Sequence, residues 1–246
     1  MNISADESVV RALLVSNDAL VIKQVSEPLR DLAASTDICA DIPNAIRTVN
    51  VRKYEAVVVD LSLGVESTKV LERVRLSSSN RTTVAFAITD GTKQSAEAFV
   101  AGSNFVFERP LSPTAVGRTL KAAYSLIVRE RIRYFRCPIS IPATVHSEDA
   151  GEIRGQALNI SQGGLAVMTP MPLKPGTKVR VQFTIPGQSR EFSVQSEVCW
   201  CDEKGRAGLK FLAPSSDLRS ELMEWLARRL EQSLPESVAV KFRLTG

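Results

Sequence analysis

Two short stretches of this chain carry side chains suited to holding an anion. In the first, Arg129, Arg131, Arg133 and Arg136 stand against Glu130 alone, a local charge of +3. Guanidinium groups fork onto phosphate oxygens and stack on planar rings. Such a focus suits one compact anion better than a long duplex, which asks for basic residues along an extended face. The second stretch, Asn159-Ile160-Ser161-Gln162-Gly163-Gly164, offers an amide and a hydroxyl for polar edges, and glycines where the backbone must turn. Each has a plainer reading beside it. The arginines could be a solvated segment between domains, and the second stretch a tight strand-to-strand turn held by Asn and Ser side chains.

Other chemistry has little to draw on. His146 is the only histidine, and no nucleophile, base and orienting group assemble around it, so the chain is not expected to be an enzyme. Cys199 and Cys201 are separated by one residue, which fits neither a zinc knuckle nor a redox Cys-x-x-Cys. With Cys39 and Cys137 they read as reduced, mostly buried thiols, and no metal site is expected. With 44% hydrophobic and 24% charged residues in 246, the composition is that of a globular protein with real cores, one large domain or two ordinary ones. No run reaches the roughly 20 apolar residues of a membrane helix, and Met1 to Ser8 is polar and acidic, so a cytoplasmic location is expected. Residues 1–128 hold 14 basic and 14 acidic side chains and residues 129–246 hold 17 and 13, which puts the whole net charge of +4 in the second half. Basic charge at a single locus, without a helix-turn-helix or zinc finger segment, argues against DNA as partner.

The elements that must position these residues differ between the halves. From Ala12 to Phe107, short apolar runs (Ala12 to Val15, Asp37 to Ala40, Ala56 to Val59, Val84 to Ile88, Phe105 to Phe107) alternate with helical patterns. That predicts an α/β domain with a doubly wound, five-stranded parallel sheet, whose ligands would bind beyond the carboxyl ends of the strands. Asp60 closes the third run, a place where an aspartate also serves as a helix cap. A last helix from Ser112 towards Glu130 keeps one apolar face, Val116, Leu120, Ala123 and Ile127, up to the arginines with no Gly/Ser linker. After Arg136 the pattern changes to six strands: Ser140 to Val145, Gly155 to Ile160, Leu165 to Met168, Lys178 to Ile185, Glu191 to Trp200 and Arg206 to Phe211. Turn-formers such as Lys174-Pro175-Gly176 lie between them. This predicts a six-stranded antiparallel barrel with a covering helix from Asp217 to Leu230. The domain boundaries are set at 1–127 and 128–246. Within the tail Pro235 to Gly246, Val238-Ala239-Val240 is left open between an edge strand and a loose end.

The first half resembles a response-regulator receiver domain. The resemblance puts Asp60 at the phospho-accepting aspartate, Thr89 at the switch hydroxyl and Arg109, before Pro110, at the lysine of a Lys-Pro pair. It departs at Ser16 and Asn17, where that family keeps paired acidic residues, and at Arg109, a wider group than lysine. With two of three carboxylates gone, Mg2+ is not expected, and a pseudo-receiver used for interaction or self-association is favoured over a phosphorylated one.

The second half is similar to PilZ, the cyclic-di-GMP-sensing domain. Arg131 to Ala143 looks like its start, Asn159-x-Ser161-x-x-Gly164 matches its (Asp/Asn)-x-Ser-x-x-Gly motif, and Gly205-Arg206-Ala207-Gly208-Leu209-Lys210-Phe211 resembles its late Gly-x-x-Phe strand. The resemblance implies that Arg131, Arg133, Arg136, Asn159, Ser161 and Gly164 bind cyclic di-GMP. One departure is Ile132, which falls on the first arginine of Arg-x-x-x-Arg when Arg136 is the second. The expectation is a bacterial signalling effector that passes ligand occupancy on through domain reorientation or an unidentified protein partner. The alternative is an adaptor in which both domains have lost their small-molecule chemistry.

Overall fold

The computed structural model describes residues 10–148 and 151–233. It divides into two compact units that part in sequence between Arg131 and Ile132.

In the first unit, strands β1 (Val10–Val15), β2 (Ala34–Cys39), β3 (Ala56–Asp60), β4 (Val84–Thr89) and β5 (Phe105–Glu108) form one parallel sheet in the order β2-β1-β3-β4-β5. Helices α1 (Ala19–Asp31), α2 (Ile42–Val51), α3 (Thr68–Leu76), α4 (Thr92–Val100) and α5 (Pro113–Tyr134) alternate with them. Side chains alternate between the faces of a strand, and here residue parity sorts the core into two layers. Even-numbered Leu14, Val58, Phe86 and Ile88 pack with Val25 and Leu29 of α1 and Leu120 and Ile127 of α5. Odd-numbered Leu13, Val15, Val57 and Val59 pack with Val49 of α2 and Leu71 and Val74 of α3. A sheet buried on both faces needs uninterrupted apolar strands, which is why every residue of β3 and β4 is buried. The strand order is that of a flavodoxin-like doubly wound sheet, with its ligand crevice at the carboxyl ends of β1 and β3.

Helix α5 runs four residues past Glu130, so Arg129, Arg131 and Arg133 are helical rather than a flexible approach to the barrel. Polar contacts within the first unit hold this stretch. Glu130, almost wholly buried, accepts from Lys53 Nζ at 2.6 Å and Thr82 Oγ1 at 2.7 Å. Arg131 lies 3.8 Å from the buried Glu55.

The second unit is a closed antiparallel barrel. Its strands are β6 (Cys137–Ser147), β7 (Gly151–Ser161), β8 (Gly164–Met168), β9 (Lys178–Thr184), β10 (Glu191–Cys201) and β11 (Arg206–Phe211), in the order β10-β11-β8-β7-β6-β9. Alternating inward residues such as Val181, Phe183, Val194 and Phe211 fill it, with the Phe183 and Phe211 rings stacked 5.9 Å apart. Helix α6 (Ser216–Ser233) buries Leu222, Trp225, Leu226 and Leu230. The Trp225 indole donates to the Pro186 carbonyl at 3.0 Å, which ties the helix to the turn between β9 and β10. Among the described residues no helix is long and apolar enough to cross a membrane. The tail from Pro235 lies outside the described residues.

Candidate functional site

A cavity of about 670 Å³ lies beside the turn that joins β7 to β8. Ser161 Oγ donates to the Gly164 carbonyl at 3.1 Å across this turn, and Gly163 accepts from the Phe211 amide at 2.9 Å, which fastens it to β11. A Cβ on Gly164 would run into the Leu209 carbonyl, so only glycine allows β8 and β11 to approach this closely. That approach sets Lys210 opposite Gly164 in the β8–β11 register and makes it one of the lining residues.

Two bulges shape the wall. The β7–β8 register slips between Ala157 and Asn159, and the β10–β11 register between Val198 and Trp200. Successive residues of a regular strand face opposite ways, and a bulge re-aims them. Cys199 and Trp200 therefore both line the cavity, with the indole half-exposed and packed against Gly208, where any side chain would collide with it.

Of the residues singled out from sequence, Arg133, Arg136, Asn159, Ser161 and Gly164 line this one cavity. Arg131 is not among its lining; it is turned to Glu55 in the first unit. Ile132 is buried and outside the lining too. Neither Arg133, Arg136 nor Lys210 has a carboxylate partner among the described residues, and no lining residue is acidic. Three basic residues thus share a lining without an acidic one, and among the described residues the Asn159 side chain has no hydrogen-bond partner. Such a site attracts a compact anion, and the exposed indole adds a face on which a flat ring can stack. Sequence reasoning missed Trp200, Cys199 and Lys210. Lys210 stands at an outward position of its alternating strand, whereas Trp200 shares the inward parity of Phe192, Val194 and Val198 and is turned to the cavity only by the bulge. Cys199 is accordingly exposed, unlike the buried Cys39 and Cys137.

The receiver-like residues gather at the carboxyl end of β3. Asp60 is fully buried and caps the short helical turn that follows it, accepting from the Ser62 amide at 3.1 Å. Ser62 Oγ and Ser16 Oγ each donate to it at 2.8 Å, and Arg109 Nη2 reaches both its oxygens at 2.8 Å. Burial works against the charged carboxylate, but Arg109 and the two serines outweigh it and hold Asp60 below its usual range. Thr89, also buried, shares a 2.9 Å hydrogen bond with Ser95. Among the described residues no group of three or more His, Cys, Asp or Glu side chains is placed to hold a metal ion.

Fold and site together define a five-stranded parallel α/β unit and a small closed barrel whose cavity is lined by basic and no acidic residues. Residues 130–228 match the model of the PilZ domain family, and the chain carries a PilZ domain over that span. The receiver domain of a Pseudomonas aeruginosa sensor histidine kinase is 22% identical and covers 46% of this chain and 95% of its own, with a TM-score of 0.42. The chemotaxis response regulator CheY4 of Vibrio cholerae is 20% identical over 46% of this chain and 97% of its own, at 0.43. The Bacillus subtilis inhibitor of motility is 22% identical over 39% of this chain and 50% of its own, at 0.35. No curated protein matches the chain.

Proposed function

We propose that the barrel unit binds cyclic di-GMP and that the protein is a signalling effector, its signal passed on by reorientation of the units or through a protein partner. The observation that carries this reading is the cavity in which Arg133, Arg136 and Lys210 converge without a carboxylate, beside Asn159 and Ser161. A cyclic dinucleotide brings two phosphates for the cations and two guanines for the amide, the hydroxyl and the Trp200 face. The PilZ family is a cyclic-di-GMP-binding signalling family, which supports the same assignment. In this reading Arg133 and Arg136 grip phosphate or guanine, Asn159 and Ser161 meet a guanine edge, and Gly164 gives the turn its closeness. Arg131 joins only by leaving Glu55.

A second reading, an adaptor that binds no nucleotide, is favoured by Ile132, whose buried apolar side chain stands where the PilZ motif has a guanidinium. Calorimetric titration of the full chain with cyclic di-GMP, at low and moderate salt, decides between them. Saturable micromolar binding abolished in Arg136→Ala and weakened by salt supports the receptor. No heat and no thermal shift at millimolar ligand refutes it and leaves the adaptor.

A further inference from the structure

The cluster around Asp60 takes no part in that reading, and it does not fit the magnesium-dependent phosphoryl chemistry that a receiver resemblance implies. A receiver-type site asks carboxylate oxygens to share a divalent cation, and Mg2+ demands near-ideal octahedral geometry, at roughly 2.0–2.1 Å from its ligands. Ser16 and Asn17 bring no charge. Asp18 spends Oδ1 as the N-cap of α1, accepting from the Leu20 amide at 2.8 Å and the Val21 amide at 3.3 Å. Asp60 meets five donor contacts: the Ser62 amide and hydroxyl and Arg109 on Oδ1, the Ser16 hydroxyl and Arg109 on Oδ2. Ser16 in turn uses its hydroxyl oxygen to accept from the Asp18 amide at 3.2 Å, which locks the loop after β1 onto the cluster.

The charge that a metal ion would supply is already present. Arg109 reaches Asp60 through Nη2, lies 3.5 Å from Asp90 through Nε and 3.8 Å from Asp18 through Nη1. One guanidinium thus faces three carboxylates, from the carboxyl ends of β1, β3 and β4. Nη2 alone meets both Asp60 oxygens at 2.8 Å, which leaves the other two nitrogens of the planar group to face Asp90 and Asp18. The hydroxyl of Thr89, at the carboxyl end of β4, shares a 2.9 Å hydrogen bond with Ser95 of α4.

We infer that Arg109 is a tethered cation that stands where a divalent ion would, so that the first unit keeps one charge state and takes up neither magnesium nor a phosphoryl group on Asp60. The consequence is a unit whose state is set by its fold alone, leaving the barrel cavity as the place where a small-molecule signal enters.

The test uses the full chain. The thermal transition is followed by circular dichroism with and without millimolar MgCl2, against NaCl of equal ionic strength. Intact mass is recorded after incubation with acetyl phosphate and MgCl2. For the unaltered protein, the inference expects no magnesium-specific shift and no phosphoryl adduct. Arg109→Ala, which empties the place beside Asp60, should unfold at lower temperature and recover several degrees on adding MgCl2. Arg109→Gln, which keeps a donor for Asp60, should do the same more mildly and serves where the alanine variant does not fold. A magnesium-specific stabilisation of the unaltered protein, or an adduct that Asp60→Asn abolishes, overturns the inference. So does a folded Arg109 variant that magnesium leaves unmoved, because the guanidinium would then not occupy a cation's place.

Discussion

The ion pair that holds α5 to the first unit yields a quantitative prediction. Glu130 is 6% exposed and Lys53 18%, with 2.6 Å between charges; Glu130 also accepts from Thr82, and Lys53 also donates to Thr83 at 3.1 Å. Removing one partner of a buried pair costs about 3–5 kcal/mol, because the other is left charged and dry. The two halves of this pair are not equally dry. Lys53→Met strands the deeper charge and should cost about 3 kcal/mol. Glu130→Leu strands a lysine that keeps Thr83 and some water, and should cost about 2 kcal/mol. The double variant replaces the pair by apolar groups, a change that is often close to neutral, so its cost should fall below about 1 kcal/mol. The chain has two tryptophans, Trp200 and Trp225, both in the barrel unit. Urea unfolding followed by far-ultraviolet circular dichroism reports both units, while tryptophan fluorescence reports the barrel and should not move. Additive single-variant costs would show packing rather than charge at work, and a larger cost for Glu130→Leu than for Lys53→Met would refute the exposure argument.

Acid should reveal two carboxylates working in opposite directions. Asp60 is held below its unfolded value of about 3.9, so its contribution is present above that pH and is lost as pH falls through the lower folded value. Glu55 is raised, chiefly by burial, so ionising it costs stability near neutral pH, and that cost is relieved as pH falls through its folded value towards about 4.3. Asp60→Asn should therefore flatten the acid limb of the stability profile and Glu55→Gln should steepen it, read as unfolding free energy from pH 7 downwards; the opposite order would refute the assignment. Gly164→Ala should destabilise the barrel by about 2 kcal/mol or more, because the new methyl meets a strand carbonyl rather than a movable side chain. Gly208→Ala meets only the half-exposed Trp200 ring, so stability should change by less than about 1 kcal/mol while the indole emission shifts and the cyclic-di-GMP affinity proposed above falls.

Much of this architecture could be read from residue order. Ala56 to Val59 is apolar at every position, which only a strand buried on both faces requires, and β3 is such a strand. Lys178 to Ile185, one of six runs set apart by turn-formers, is a barrel strand, β9, whose alternate residues are buried. What could not be read depended on partners distant in sequence. Arg131 stands beside Arg133, yet its neighbour is Glu55, brought near by the start of β3 rather than by any local motif. The helix through the arginines depends on Lys53 and Thr82 in the same way. Lys210 reaches the cavity because of the β8–β11 register, and Trp200 because of a slip in pairing, neither of which has a signature along the chain. The Asn-x-Ser-x-x-Gly turn was legible because its chemistry is local, a hydroxyl closing on a carbonyl three residues away.

The slip at Cys199 makes the cavity depend on a count as well as on chemistry. Exchanging Cys199 for serine or alanine leaves the number of residues between Val198 and Trp200 unchanged, and the indole keeps its station. Deleting it would bring Trp200 into the place of the extra residue and give β10 and β11 an unbroken ladder. The pairs Val198–Leu209 and Trp200–Gly208 would keep their faces, but the local bend by which the extra residue presents Cys199 and Trp200 together at the cavity would be lost. Position 199 acts as a spacer, fixed by its presence more than by its identity, and insertions or deletions there should be far less tolerated than substitutions.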